Sequence, residues 1–423
     1  MSNKYPLYKT TKSDEYFQRA AKVIPAGVYG HLGPAEGQFI PVNRWPRFSE
    51  KAKGSYFWDV DGNQYIDYMC AYGPNVLGYC DEDVDAAAIE QIKKGNCVTS
   101  PDKIMIECAE LLVDTVATAD WAFFAKNGND ATQGAILTAR AHTHRKKLIF
   151  FNNFYHGVSP MVQKIDYPGV TPEDVANNLY ARWDDIEGLK KIIAENENEI
   201  AAIIAQPYNH GNFIDNTFPV DGFWKEVREL CTKHGIVLIV DDVRCGFRLD
   251  LAGSDHFFGF EADIICFCKA LANGYNMSAI CGKEFLKGSM SALAYTGSYW
   301  LSAVPFAACI ACINKLKANL TSDLFITPLN KKILQLLTGR IDEGLSVEIS
   351  LLAPHLTSDE MNVVAKLFAD TSMVSNTIEE CVDCINVLKT EKEKQEKKSP
   401  SSMDDQAFLD FFASLKKSED DKK

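Results

Sequence analysis

Between about residues 104 and 283 the chain alternates two kinds of periodicity. Short apolar, β-prone runs at 122–124, 148–151, 201–205, 236–240 and 264–267 are separated by stretches, such as 131–146 and 222–233, whose apolar residues recur every three or four positions. Apolar runs of this length, bounded by helical text, read as strands buried on both sides. Their alternation with helices predicts an α/β fold with a mostly parallel sheet flanked by helices on both faces. Ahead of it, 54–68 predicts two short strands around the Asp61-Gly62 turn, because Asp-Gly between β-prone flanks favours a hairpin. After about 320 the strand runs stop and short helical patterns take over. From Lys389 the text becomes Lys/Glu-rich with a Ser-Pro step, and an amphipathic piece follows at 404–417. The expected division is 1–70 as an N-terminal segment with the hairpin and 71–320 as the large α/β domain. A helical C-terminal module is expected over 325–390, and a charged linker with a terminal amphipathic helix over 391–423.

Composition narrows the partners. With 423 residues, 46% of them apolar and 24% charged, a large buried core is expected. The net charge of −13 argues against a direct nucleic-acid or anionic-membrane partner, since either needs a broad basic face. A small metabolite is the expected partner. No run of about 18 apolar residues could span a bilayer, and the first residues lack the charged-then-apolar pattern of a secretory signal, so a cytoplasmic location is expected. Of the thirteen cysteines, Cys231, Cys266, Cys268, Cys309 and Cys312 lie inside apolar stretches, which predicts reduced core thiols and not a disulfide scaffold. Cys381 and Cys384 have metal-like spacing but no second pair, so they read as core and no metal is expected. The basic group Arg140, His142, His144, Arg145 and Lys146 reads as a solvated helix face.

In α/β sheets ligands gather at the carboxyl ends of the strands, so the residues just after each apolar run are where chemistry is sought. Four such positions are loaded. After 122–124 comes Lys126-Asn127-Gly128-Asn129, a small-residue loop entering a helix. Glycine permits close backbone approach and helix N-terminal amides bind phosphate, although the same junction also serves as a plain turn. After 148–151 come Phe154, Tyr155, His156 and Gly157, offering a flat ring that would cover a planar ligand or simply pack in the core. After 236–240 comes Asp241-Asp242. A carboxylate at the end of a buried strand is costly unless paired, and a protonated ring nitrogen, a helix cap or a metal would each pair it. After 264–267 comes Lys269, 28 residues beyond Asp241. An amine in so apolar a setting loses charge stabilisation, its pKa falls, and it becomes able to form a Schiff base.

These phrases and their order resemble the class III aminotransferases, in particular the glutamate-1-semialdehyde aminomutase branch. The likeness runs from Pro25 to about Lys317. It rests on Tyr56-Phe-Trp-Asp-Val-Asp-Gly-Asn-Gln-Tyr-Ile-Asp-Tyr68, Gly73-Pro-Asn-Val-Leu-Gly78, Asn127-Gly-Asn-Asp-Ala-Thr132, Tyr155-His-Gly157, Leu238-Ile-Val-Asp-Asp-Val-Arg-Cys-Gly-Phe-Arg248, Lys269-Ala-Leu-Ala-Asn-Gly274 and Thr296-Gly-Ser-Tyr-Trp300. The resemblance implies the PLP-dependent transferase fold type I, pyridoxal 5'-phosphate (PLP) as cofactor, and amino-group transfer on a small amino acid or amino-aldehyde. It implies that Lys269 forms the Schiff base and shuttles a proton, that Asp241 holds the pyridine nitrogen, and that Tyr155 stacks on the ring. Gly128 and Asn129 would cradle the phosphate. Asn127, His156, Gln206 and Val243 complete the implied cofactor set. Thr296 or Ser298 would reach the phosphate of a neighbouring subunit, which implies a homodimer.

The chain departs from the family pattern in places. The usual Asp-Glu pair is Asp241-Asp242, the usual Glu-Pro is Gln206-Pro207, and the loop after the lysine is Asn273-Gly-Tyr-Asn276. In place of the usual α/β small domain the tail reads as all-helical, and 356–368 with 378–388 resemble the helicase-binding tail of bacterial primases. That likeness implies a protein partner for the tail. It leaves a second reading open, in which a catalytically degenerate aminotransferase fold serves as a scaffold.

Overall fold

The computed structural model describes residues 8–25, 27–28, 48–210 and 215–318, together with 332, 336 and 354–357. The chain divides into two units, Met1–Leu316 and Lys317–Lys423. Apart from the isolated positions just given, the helical module, the charged linker, the terminal helix and the Cys381/Cys384 pair lie outside the described residues.

The N-terminal hairpin is part of a three-stranded antiparallel sheet of β1 (Ser49–Lys53), β2 (Tyr56–Asp59) and β3 (Gln64–Ile66). β2 and β3 pair with Trp58 opposite Gln64, so the Asp61-Gly62 step does form the turn. Buried Asp59 holds that turn closed, its Oδ1 accepting the N–H groups of Asp61 (3.0 Å) and Asn63 (2.9 Å).

The main sheet has seven strands: β4 (Trp121–Ala125), β5 (Lys147–Phe151), β6 (Asn178–Ala181), β7 (Ile200–Ala205), β8 (Val237–Asp241), β9 (Ile264–Phe267) and β10 (Ser278–Gly282), in the order β4-β10-β9-β8-β7-β5-β6. β5 to β9 are mutually parallel, and β10 runs antiparallel to β4 and β9. The five apolar runs are five of these strands. β6 and β10 were not anticipated, for separate reasons: β6 (Asn-Leu-Tyr-Ala) opens on a polar residue and buries fully only Ala181, and β10 is built of Ser, Ala, Ile, Cys and Gly, side chains too small to stand out as an apolar run.

Strand side chains alternate between two faces, and both are apolar. Ile149, Phe151, Ile203, Leu238, Val240, Ile265 and Phe267 pack on one side with Leu112, Leu189, Phe223, Val227 and Phe306. Leu148, Phe150, Ile204, Ile239, Ile264, Cys266 and Ile280 pack on the other with Ala131, Ala135, Ile136 and Ala139 of the helix Gly128–Thr143. Cys231, Cys266, Cys309 and Cys312 are buried free thiols and Cys268 is half-buried, as core thiols should be. The basic group at 140–146 is not simply solvated. Arg145 Nη1 donates to the carbonyls of Ile200, His234 and Gly235, and Arg140 Nε to that of Lys146, so these residues tie the helix end to neighbouring backbone.

Candidate active site

Strand register explains why residues far apart in sequence meet. Asp241 is the last residue of β8 and pairs with Cys266 of β9, so Lys269 begins the turn just beyond. β4 ends at Ala125, and the helix Gly128–Thr143 starts three residues later behind a capping box, in which Asp130 Oδ2 accepts the Asn127 N–H at 2.9 Å. Gly128 is required there: a Cβ on it would come within 2.7 Å of Val243 Cγ1. The loop after β5 is fixed to the same helix start. Asn129 Oδ1 accepts the N–H groups of Val158 and Ser159, each at 2.8 Å, and a Cβ on Gly157 would meet Asn129 Oδ1 at 2.6 Å.

Asp241 is buried, and its carboxylate is supported from two sides. His156 Nδ1 lies 2.6 Å from Oδ2, and the Val243 N–H donates to Oδ1 at 3.1 Å. The carbonyl of His156 in turn accepts from Thr132 Oγ1 at 2.7 Å, and its ring stacks on Phe154, so the imidazole is held in place from behind. Each Asp241 oxygen keeps a further lone pair for another donor. The neighbouring Asp242 points into the core, where both its oxygens accept from Ser254. Burial pushes its carboxyl up to about 7.

Lys269 has a left-handed backbone (φ +34°), which is strained for a residue with a Cβ and is common where function holds a side chain in place. Burial depresses its amine pKa, the charge of Arg244 adds to the depression, and Asp241 opposes it. Its Cδ lies 3.3 Å from where a Cβ of Gly73 would be. Gly73 closes a run of four left-handed residues, Cys70, Ala71, Tyr72 and Gly73. That turn is pinned by Asp67, which accepts the N–H of Met69 (2.9 Å) and Ala71 (2.7 Å) and the hydroxyl of Tyr79 (2.6 Å). Arg248 reaches over and donates to the Gly73 carbonyl.

The structure thus brings Asn127, Gly128, Asn129, His156, Asp241, Val243 and Lys269 to one end of the sheet. Gln206 is also there, but it is turned away: its Nε2 donates to Nδ1 of buried His210 at 3.0 Å. Tyr155, Thr296 and Ser298 are exposed. Sequence reading missed His210, Arg244 and Arg248, and passed over Asp67. Both arginines follow β8 within seven residues, so a wider search past the strand end would have found them. Arg244 Nη1 donates to the His210 carbonyl (2.8 Å) and lies 3.2 Å from His210 Nδ1. That nitrogen faces donors, so the ring proton sits on Nε2, and burial holds the imidazole pKa down at about 4. The Nε2 atoms of His156 and His210 are buried without a partner among the described residues.

These residues fit a planar, phosphate-bearing cofactor with a basic ring nitrogen. A buried carboxylate has lone pairs to spare, an amine of lowered pKa stands nearby, and a helix N-terminus begins at a glycine where no side chain fits. Fold and site together define a PLP-dependent transferase. A family model described as Aminotransferase class-III matches residues 40–333. The chain is 39% identical over 307 residues to an aminopentol aminotransferase from Sphingopyxis macrogoltabida, covering 73% of this chain and 72% of that protein. It is 33% identical over 383 residues to a glutamate-1-semialdehyde 2,1-aminomutase from Flavobacterium psychrophilum, covering 87% and 84%. Among solved structures, the FumI protein of Sphingopyxis sp. MTA144 in its PLP internal aldimine form matches with 36% identity and a TM-score of 0.70, covering 79% of each chain. An omega-transaminase from Sphaerobacter thermophilus shares the fold at a TM-score of 0.65 with 22% identity. The chain belongs to the class III aminotransferase family and is an enzyme of PLP-dependent amino-group transfer, acting on small-molecule donors and acceptors. When bound, PLP supplies an electron sink that stabilises negative charge on the substrate carbon. Among the described residues no helix is long and apolar enough to cross a membrane.

Proposed function

We propose that the chain transfers an amino group between two molecules, taking it from an amine that carries no carboxylate at the reacting carbon. The observation that carries this reading is Gln206. Where the family usually places a glutamate the side chain is neutral, and it is already engaged by His210 at 3.0 Å, so this strand end offers no carboxylate to organise an arginine clamp for a donor acid. The similarity to an aminopentol aminotransferase, at 39% identity over 307 residues, supports the same choice.

In this reading Lys269 binds the cofactor's carbonyl carbon and, once released, moves a proton at the substrate carbon. Its lowered pKa leaves more of the amine free to do so near neutral pH. Asp241, steadied by His156, keeps the ring nitrogen protonated. Gly128 and Asn129 present helix N-terminal amides to the phosphate, Val243 and Tyr155 contact the ring, and Asn127 holds the loop through its capping box. Thr296 or Ser298 of a second copy completes the phosphate site, which makes the working form a homodimer.

The test is a half-reaction on the PLP-loaded, full-length protein, followed by absorbance, with 2-aminopentane, glutamate, alanine and glutamate-1-semialdehyde offered separately. Faster conversion of the cofactor to its amine form by 2-aminopentane supports the reading. Conversion by the amino acids alone, or rearrangement of the semialdehyde without a second substrate, overturns it.

A further inference from the structure

The turn that carries the reactive amine is strained at both ends. Lys269 opens the short helical turn Lys269–Ala272 at φ +34°, and Asn273 follows it at φ +43°. Such a turn persists only where its surroundings over-determine it, and Asn enters the left-handed region more readily than most residues. Asn273 is also only 7% exposed, so both polar atoms of its amide have to be satisfied inside the protein.

One distant stretch of backbone satisfies them. Asn273 Oδ1 accepts the Leu77 N–H at 2.9 Å, and Asn273 Nδ2 donates to the Gly78 carbonyl at 3.0 Å. The side chain thereby stands in for a peptide unit and pairs with a loop that belongs to neither sheet. Neighbouring contacts hold the same two segments together. A Cβ on Gly274 would meet Asn75 Oδ1 at 2.7 Å, and the Tyr275 hydroxyl donates to Asp85 Oδ1 at 2.8 Å. The helix Ala303–Ala318 adds a further brace, Cys312 Sγ donating to the Ala270 carbonyl at 3.3 Å.

The Asn273 bonds also bear on the lysine side chain. A Cβ on Gly73, four residues before Leu77, would lie 3.3 Å from Lys269 Cδ. One segment therefore touches the lysine side chain at Gly73 and is tied to the lysine's own turn at Leu77 and Gly78. The separation of the two segments fixes both the backbone from which Lys269 departs and the room its methylenes have.

We infer that Asn273 is a positioning residue for Lys269: its two hydrogen bonds hold the lysine turn in its left-handed conformation and keep the amine within reach of the cofactor's carbonyl carbon. This rests on the proposed role of Lys269 as the residue that binds that carbon. In that capture the amine nitrogen forms a C=N bond to the carbon, and the carbonyl oxygen leaves as water. Asn273 acts through the lysine's backbone and touches neither substrate nor cofactor. Without its bonds the turn relaxes toward negative φ and the amine spends less time at the carbonyl, so capture weakens while the seat for the ring and phosphate stays as it was.

The experiment compares two ligands by equilibrium dialysis on the full-length protein freed of cofactor. One is PLP; the other is 4'-deoxypyridoxine 5'-phosphate, with the same ring and phosphate but a methyl group in place of the aldehyde. The proteins are the wild type, Asn273→Gly, Asn273→Asp, Lys269→Ala and the double variant of Lys269→Ala with Asn273→Gly. Glycine tolerates the left-handed backbone and removes both bonds, whereas aspartate keeps the acceptor for Leu77 and loses the donor to Gly78. PLP binding should weaken about tenfold to a hundredfold in Asn273→Gly, the size of one or two buried hydrogen bonds, and by less in Asn273→Asp. Binding of the deoxy compound should hold in every variant, and Asn273→Gly should change nothing once Lys269 is alanine. Equal weakening of both ligands would mark a structural role and overturn the inference, as would unchanged PLP binding in Asn273→Gly. If Lys269→Ala binds PLP as well as the wild type does, the lysine reading fails and the inference falls with it. A loss in Lys269→Ala without one in Asn273→Gly sinks the inference alone.

Discussion

The two ends of the seven-stranded sheet treat charge in opposite ways. At the amino ends of the parallel strands charges are matched. Arg228 and Asp263 pair at 2.9 Å, Asp263 also accepts the Leu238 N–H at 2.7 Å, Lys147 pairs with Glu199 at 2.8 Å, and Arg145 rests on three carbonyls. At the carboxyl ends Arg244 and Arg248 have no carboxylate among the described residues, Lys269 is strained, and Asp242 and His210 are held away from their ordinary titration ranges in opposite senses. The same strands build both ends, so the fold does not dictate the difference. The end that only holds the molecule together satisfies its groups, and the end that reacts keeps donors, acceptors and strain in reserve.

The contrast can be tested from either side. The largest effect is expected for Lys269→Ala, which should lower amino transfer by roughly 10²–10⁴-fold, the range for loss of a proton-transferring group, and abolish any lysine-dependent cofactor absorbance. Its melting temperature should hold or rise, because a strained, desolvated amine has been removed. Next comes Asp241→Asn, which leaves His156 facing an uncharged amide. Denaturant unfolding should show a loss of about 1.5–3 kcal/mol, as for a lost hydrogen bond to a charged group, with weaker PLP retention in equilibrium dialysis.

A third prediction concerns pH. The Asp242 carboxyl is pushed up to about 7 by burial, against about 3.9 in an unfolded chain. The native state therefore holds the extra proton across that window, and this group's contribution to stability is full below it and declines as pH rises through it. His210 works the other way. Its pKa is held at about 4 against about 6.5 unfolded, so its contribution is full above that window and is lost as pH falls through it. Asp242→Asn removes the first contribution and leaves the second, so melting temperatures between pH 7 and 4 should fall more steeply on acidification than in the wild type. An unchanged slope would refute the assignment.

Gly128→Ala forces a methyl group against Val243, and about 1–3 kcal/mol of stability should be lost, with cofactor retention weakened at the same time. The smallest effect is expected at the other end of the sheet. Arg228→Met should cost about 1 kcal/mol in thermal or denaturant unfolding and leave kcat/KM for both substrates as it was.

Sequence pattern exposed the strand ends because period-two burial on both faces makes a parallel strand an unbroken apolar word. Asp241 and Lys269 are conspicuous for standing where such words end. β10 was hidden by its small side chains, and with it the antiparallel step that separates β4 from β9. The Asp67 clamp and the left-handed turn it holds were equally hidden. They depend on backbone dihedrals at Cys70, Ala71 and Tyr72, residue types that ordinarily avoid positive φ, so composition carries no sign of them.

What the sequence by itself determined is the layered α/β core, the glycine-bearing loop before the helix, and the acid and amine at successive strand ends, because each follows from local periodicity or from the cost of a polar group after a buried run. The tertiary structure alone decided the partners. It set His156 behind Asp241, and directed Arg244 and Arg248 onto His210 and Gly73, backbone and side chains supplied by distant parts of the chain. Such pairings depend on which strand lies beside which, and on register to within a residue, and no local pattern encodes either.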